Sequence, residues 1–432
     1  MADRPLSLQD IQWREVFLFT RIFRAFRIAI RPSKMLLALA ALLCMYAGGR
    51  SLDVLWRFVE GQKAVDVTSP FVQFLRSQAQ SFDVIITGVI SGNWTFPSGV
   101  PGGVTDFVLL NPVGAWHSSP VYFSFLFTWF LVVWAIFGGA ISRIAALHVA
   151  RDEVISPLRA IRFSLKALPS FIAAPLIPLI MVVIFGAVVG ILGLPLYVPY
   201  IGAILTSLLL VVAIVIGALM MFLVVGSVAG FGLMYPTIAV EGSDAFDAVS
   251  RSLSHVFAAP WRLLFYTAVA VFYGTLSYLF VRLCLYVLLA LVHFFTQVFV
   301  FGRGEDTWKA MWPAFEMRKL TYAPEWSTLG ISDSVAAGIT AFWVYLIIGL
   351  LGAYVISFYF SANTIIYMLM RRKVDATEMD AVYLDPADAE TAEPQPPAQP
   401  AAPAAAAPAA AVPLVGEKPA AAADKASQPP QA

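Results

Sequence analysis

The stretch MYPTIAVEGSDAFDAVSRSLSHVFAAPW, from Met234 to Trp261, decides how this chain is to be read. It lies between two long apolar runs, carries its charges at helical spacing, and ends on a proline followed by a tryptophan. From Ala245 onward, Phe246, Val249, Leu253, Val256 and Phe257 fall on one helical face. Asp247, Arg251 and Ser254 fall on the other, with Asp247 and Arg251 at i,i+4. Ser243 or Asp244 suits the N-cap. Such a segment reads as a helix on a membrane surface that feeds through Pro260 into a span.

Composition supports a bilayer as solvent. The chain is 59% hydrophobic and 13% charged, with a mean hydropathy of +0.78. A soluble domain of that balance lacks the polar surface to cover itself. Apolar runs long enough to cross roughly 30 Å of hydrocarbon give six expected spans, at about 34–55, 121–142, 170–192, 201–225, 263–282 and 337–360. Over thirty residues precede the first run, so the N-terminus does not read as a cleavable signal. Cys44 and Cys284 both lie in apolar runs, which carries no disulfide framework and no zinc site.

Lysine and arginine set the orientation. Arg4, Arg14, Arg21, Arg24, Arg27, Arg31 and Lys34 precede the first span, and Arg143, Arg151, Arg159, Arg162 and Lys166 fill the 142–168 connection. Arg251 and Arg262 lie in the next inner segment, and Arg371, Arg372 and Lys373 follow the last span. The outer loops, 58–120 and 302–336, are poorer in basic residues, so both termini are expected to be cytoplasmic. Residues 1–33 read as a cytoplasmic basic amphipathic helix, 34–375 as the membrane domain, and the Ala/Pro-rich 376–432 as a disordered cytoplasmic tail.

The opening device recurs. In RDEVISPLRAIRFSLKALPSF (151–171), Ser156 can cap and Pro157 suits the first helical position. Leu158, Ile161, Leu165 and Leu168 oppose Arg159, Arg162 and Lys166. Shifted by 88 residues, Glu153, Ala160, Ile161, Ser164 and Leu165 fall on Glu241, Ala248, Val249, Ser252 and Leu253. A third copy sets Phe19, Ile22, Phe23, Phe26 and Ile30 against Arg14, Arg21, Arg24, Arg27 and Arg31, and ends at Pro32. The expected fold is therefore an all-α integral membrane protein of three repeated units, each a surface helix plus a helical hairpin, over roughly 8–150, 151–242 and 243–373.

Candidate sites are few. Arg21, Arg24, Arg27, Arg159, Arg162 and Lys166 are positioned to grip an anionic leaflet, or simply to set topology. Arg282 lies in an apolar run. It is either a functional intramembrane charge or, at roughly 30 Å from Arg262 along the helix, a residue snorkelling at the outer interface. On that second reading the run 283–301 either extends the helix outward or lies along the membrane. Gly186/Gly190 and Gly226/Gly230 are spaced for close helix packing. Trp94, Trp116, Trp308, Trp312 and Trp326 read as interfacial anchors or as a small outer cap. No Asp or Glu is expected to be buried in a span. His117, His148, His255 and His293 have neither ligand spacing nor a nucleophile motif beside them. No catalytic residue, metal ligand or cofactor is expected, and nothing points to nucleic acid.

The pattern Pro236…Glu241-Gly242…Ala248…Arg251-Ser252, with the exit NTIIYMLMRRKVDATEMD (363–380), resembles the membrane domain of some bacterial glycerophosphoryl diester phosphodiesterases and of related multi-pass proteins. The similarity covers roughly 140–375. It implies a bacterial cytoplasmic membrane and a membrane module without the hydrolytic barrel, and it transfers no catalytic residue. The function expected from these observations is a non-enzymatic scaffold that organises lipids or a membrane-protein partner. The alternative is a transporter or lipid-translocating protein with a polar mid-membrane cavity.

Overall fold

The computed structural model describes residues 17–60, 69–300, 303–313, 322 and 324–384. The start of the first amphipathic segment, including Arg4 and Arg14, and the tail from 385 lie outside them. The described residues are helical, with no strand among them. A 3-10 turn Leu18–Phe23 leads into α1 (Arg24–Ala29), followed by α2 (Pro32–Glu60) and α3 (Pro70–Ser91). Next come α4 (Val100–Thr105) and α5 (Asn111–Ser118), then α6 (Pro120–Val133), which passes through a π-helical turn into α7 (Gly139–Arg151). The remaining helices are α8 (Pro157–Lys166), α9 (Leu168–Gly193), α10 (Gly202–Glu241), α11 (Ala245–Ala258), α12 (Pro260–Val298), α13 (Arg303–Met311) and α14 (Ile331–Val374).

Six stretches are long and apolar enough to cross a membrane: Pro32–Val59, Pro120–Arg151, Leu168–Tyr197, Gly202–Glu241, Pro260–Val298 and Ile331–Val374. The protein is an all-α, multi-pass membrane protein, and each expected span lies inside one of these, save that the fourth begins at Gly202 rather than at 201. Proline opens three of the six, at Pro32, Pro120 and Pro260, where its missing N–H would be unpaired anyway.

The same order of elements occurs three times: a short helix, an outgoing span, and a return span with a left-handed residue one or two positions past its last helical residue. Those residues are Asp152 (φ 53°), Gly242 (φ 66°) and Ala376 (φ 52°). The contacts run in a ring. The α8 helix packs on the return span α6–α7, α11 packs on α10, and α1 packs on α14. Each short helix thus lies on the hairpin of the unit before it, and the first closes on the third. The three return spans touch one another pairwise at this end, the base of the molecule.

Small residues make the ring close-packed. Ala160 and Ser164 of α8 and Ala248 and Ser252 of α11 are all fully buried, four positions that the 88-residue shift pairs. The shift fails at Glu153, which is exposed after the α7 cap, whereas Glu241 is the last residue of α10. A Cβ on Gly226 would meet Leu253 at 2.5 Å and Phe257 at 2.8 Å. That pair of glycines therefore serves internal packing. Gly190 faces nothing within 4 Å, and Gly186 meets only Met220 of its own hairpin, at 3.7 Å.

Several expectations need correction. The return spans run on past 142, 225 and 360 to Arg151, Glu241 and Val374. Their extra turns form the buried base, so Arg143 is not an exposed flanking charge. The 58–120 segment contains helices α3 to α5. The 283–301 run continues α12 without a break to Val298. Residues 376–383 are not part of a free tail, because Met379 and Val382 are both buried against the bundle.

Candidate functional site

The most elaborate polar arrangement sits in the base, and it begins with helix ends. The last four carbonyls of a helix have no partner within it. At the end of α10, Gly242 N–H donates to Ile238 O (2.9 Å), Arg143 of α7 donates to Ala239 O (2.9 Å), and Tyr383 N–H donates to Val240 O (2.8 Å). Two other units therefore cap this helix. Arg143 is fully buried, with its guanidinium 4.5 Å from the centre of the Phe163 ring.

Glu241 ties the same corner together. Its carboxylate accepts from the Tyr367 hydroxyl, lies 2.9 Å from Arg251 Nη1 and 3.7 Å from Arg371 Nη1. Arg251 also donates to Asp247 at 3.0 Å, the expected i,i+4 pair. Burial works against the Arg251 charge, but the Asp247 hydrogen bond and the Glu241 and Asp247 carboxylates outweigh it and hold its pKa above the ordinary guanidinium value. Asp244 is the cap of α11, accepting from Asp247 N–H at 2.8 Å, and Ser156 caps α8 at 3.4 Å.

Two further pairs link the ring. His255 of α11 lies 3.1 Å from Asp375 at the end of α14, and Arg24 of α1 lies 3.0 Å from Asp152 at the end of α7. The segment after α14 closes over this assembly. Arg371 donates to the carbonyls of Glu378 and Ala381, Arg21 contacts the Met379 sulfur, and the Tyr383 ring lies against one side of Gly242. Lys34, fully buried, reaches Ser361 at 3.4 Å.

The six expected surface cations therefore divide. Arg27, Arg159, Arg162 and Lys166 are exposed around the base, whereas Arg21 and Arg24 are engaged with Met379 and Asp152. Arg282 is half-buried, 6.0 Å from the centre of the Tyr278 ring, whose other neighbour is Phe82 of α3 at 5.5 Å. Glu241 stands ten residues before Arg251 but about a hundred or more from Arg143 and Arg371, and no local signal brings those two to it.

A second polar cluster lies at the distal end of the first span. The Asp53 side chain is 1% exposed. It accepts from Tyr122 hydroxyl (2.7 Å) and Phe71 N–H (3.3 Å), and lies 3.3 Å from Arg50, which also donates to Ser69. This overturns the expectation that no span buries an acidic residue. The Arg50–Asp53 spacing at i,i+3 was the available signal. Of the outer tryptophans, Trp94, Trp116 and Trp326 are exposed, but Trp312 packs into a core with Leu289, Tyr322 and Val344.

Among the described residues, no group of three or more His, Cys, Asp or Glu side chains comes together as a metal site. The two best-formed cavities, of about 290 and 270 Å³, are lined almost wholly by apolar side chains. No family model, curated protein or solved structure matches the chain. Of the residues that carry the resemblance noted above, Pro236, Glu241, Gly242, Ala248, Arg251 and Ser252 build the corner between α10 and α11, and 363–380 form the end of α14 and the segment after it.

Proposed function

We propose that the protein is a non-enzymatic membrane scaffold that organises lipids or a membrane-protein partner. The observation that carries this reading is the contrast within the second hairpin. Its base is clamped by Glu241, Arg143 and the strap 376–383, while no residue from Ala203 to Phe222 is buried. That leaves a rigidly mounted apolar hairpin open to lipid or to another membrane helix. In this reading the base faces the cytoplasm of a bacterium, both termini are cytoplasmic, and Arg27, Arg159, Arg162 and Lys166 meet the anionic inner leaflet, each contributing ~1 kcal/mol.

Native mass spectrometry in a mild detergent tests the proposal. A protein partner at fixed stoichiometry, or one retained lipid class, is the expected result. A chain free of both, with cysteine labelling along a water-accessible stripe of 201–225, would instead establish the transport alternative. Replacing Arg27, Arg159, Arg162 and Lys166 by glutamine should remove the dependence of liposome association on anionic lipid content. Unchanged dependence would sink the leaflet contact.

A further inference from the structure

Each return span ends in a reversal that needs a residue at positive φ, and the three residues used are not equally suited to it. Gly242 (φ 66°) has no Cβ to clash. Asp152 (φ 53°) is of a type whose short polar side chain tolerates this region. The third is Ala376 (φ 52°), which has a Cβ and nothing polar to offset it. A residue held in such a conformation stays there only while its surroundings impose it.

What imposes it is the strap that follows. Residues 376–383 form neither helix nor strand. They are held by Tyr383 N–H at Val240 O (2.8 Å), by Arg371 Nη2 at the carbonyls of Glu378 and Ala381, and by the buried side chains of Met379 and Val382. Strap and base carry opposite charge. Glu378 and Asp380 are exposed on the strap, whereas Arg371 and Arg21 touch it from the base and Arg372 and Lys373 lead into it. The contacts that Arg371 and Arg21 make with the strap are to neutral atoms, two carbonyls and a thioether. A guanidinium bonds a phosphate more strongly than it bonds these, because the hydrogen bonds are charge-assisted on both sides and can be bidentate.

We propose that 376–383 is a latch poised to open, and that an anionic phospholipid surface opens it by competing with the strap for Arg21 and Arg371. The same surface repels Glu378 and Asp380. Relaxation of Ala376 favours release, and departure of Tyr383 leaves Val240 O without its cap. The latch rests on the reading that the base faces an anionic leaflet. It adds to that reading a movable part through which leaflet charge acts on the end of α10.

The test is amide hydrogen exchange of the full chain. In mild detergent, 376–383 should exchange at least about tenfold faster than 362–371 of α14, so that the strap opens while the bundle stays shut. Ala376→Gly relieves the turn and should slow strap exchange about three- to tenfold, the relief of strain being partly offset by a freer open chain. Val382→Ala removes an apolar anchor and should speed it by about the same factor, with 362–371 unmoved in both variants. Strap exchange that matches α14, or that neither variant moves, overturns the latch. In liposomes, replacing about a third of the phosphatidylcholine by phosphatidylglycerol should speed strap exchange roughly threefold or more, and Arg21→Gln should lose most of that rise. Equal rates in the two liposomes, or a rise that Arg21→Gln keeps in full, overturn the lipid trigger. An equal rise from millimolar inorganic phosphate in detergent overturns it too, because the arginines would then serve a soluble phosphate. The detergent comparison of variants involves no leaflet, and the liposome comparison can fail while liposome association keeps its anionic dependence. The latch and the leaflet contact therefore fail separately.

Discussion

Along the single helix α10, two uncharged, mainly apolar stretches meet different surroundings. From Leu233 to Val240 every residue but Tyr235 is buried in protein, whereas from Ala203 to Phe222 none is. An apolar run records only that water is absent, and both a protein core and a lipid phase satisfy it. The two are told apart by what borders them. The basal stretch ends among Arg143, Glu241, Arg251 and Arg371, and the distal one ends at a short turn, Leu194–Tyr197, with no charge in it.

That comparison can be broken by mutation, and the largest effect belongs to the hub. Glu241→Ala leaves Arg371, whose side chain is 6% exposed, and the Tyr367 hydroxyl without their carboxylate. Stability in detergent should fall by about 3–5 kcal/mol, the cost of breaking a buried pair from one side. A thermal midpoint unchanged within error would mean that the base is not held by charge.

The glycines give a smaller effect and a sharper contrast. Gly226→Ala drives a methyl against Leu253 and Phe257 and should cost about 1–3 kcal/mol. Gly190→Ala meets nothing and should be neutral or slightly stabilising. Denaturation of the two variants side by side decides the matter. Equal costs would show that the distal hairpin is covered by something as close as α11.

Smallest of all are the cap and the lipid-facing surface. Asp244→Ala removes the α11 cap and should cost about 1 kcal/mol. Leu208→Ala, at a residue 70% exposed, should stay within about 0.5 kcal/mol. A larger loss at Leu208 than at Asp244 would point to a protein partner on that face.

How much of this was legible depended on range. Spans, caps and the Asp247–Arg251 pair are local patterns, and each can be read from residues within a few turns. The base is not local. Arg143, Glu241 and Arg371 sit at the margins of apolar runs, where a basic or acidic residue normally marks the exit into water. Only their assembly from three separate spans makes them an interior. The strap was hidden for a similar reason. The composition changes at Tyr383, but nothing in 376–383 announces that its backbone completes another helix. Asp53 is different, because its partner Arg50 stands one turn away and the pair could have been seen.

The strap also bears on when the molecule can become itself. Val240 O and Gly242 wait for Tyr383, and α1 waits for α14, whose Ser357 donates to Ala29 O at 2.7 Å. At 5–20 residues per second, the ribosome needs roughly 6–30 s after α10 is made to supply those partners. The first two hairpins are therefore inserted long before their base can shut. During that interval Arg143 already has Ala239 O and Phe163, but Val240 O and Glu241 at the end of α10 still lack Tyr383, Tyr367 and Arg371.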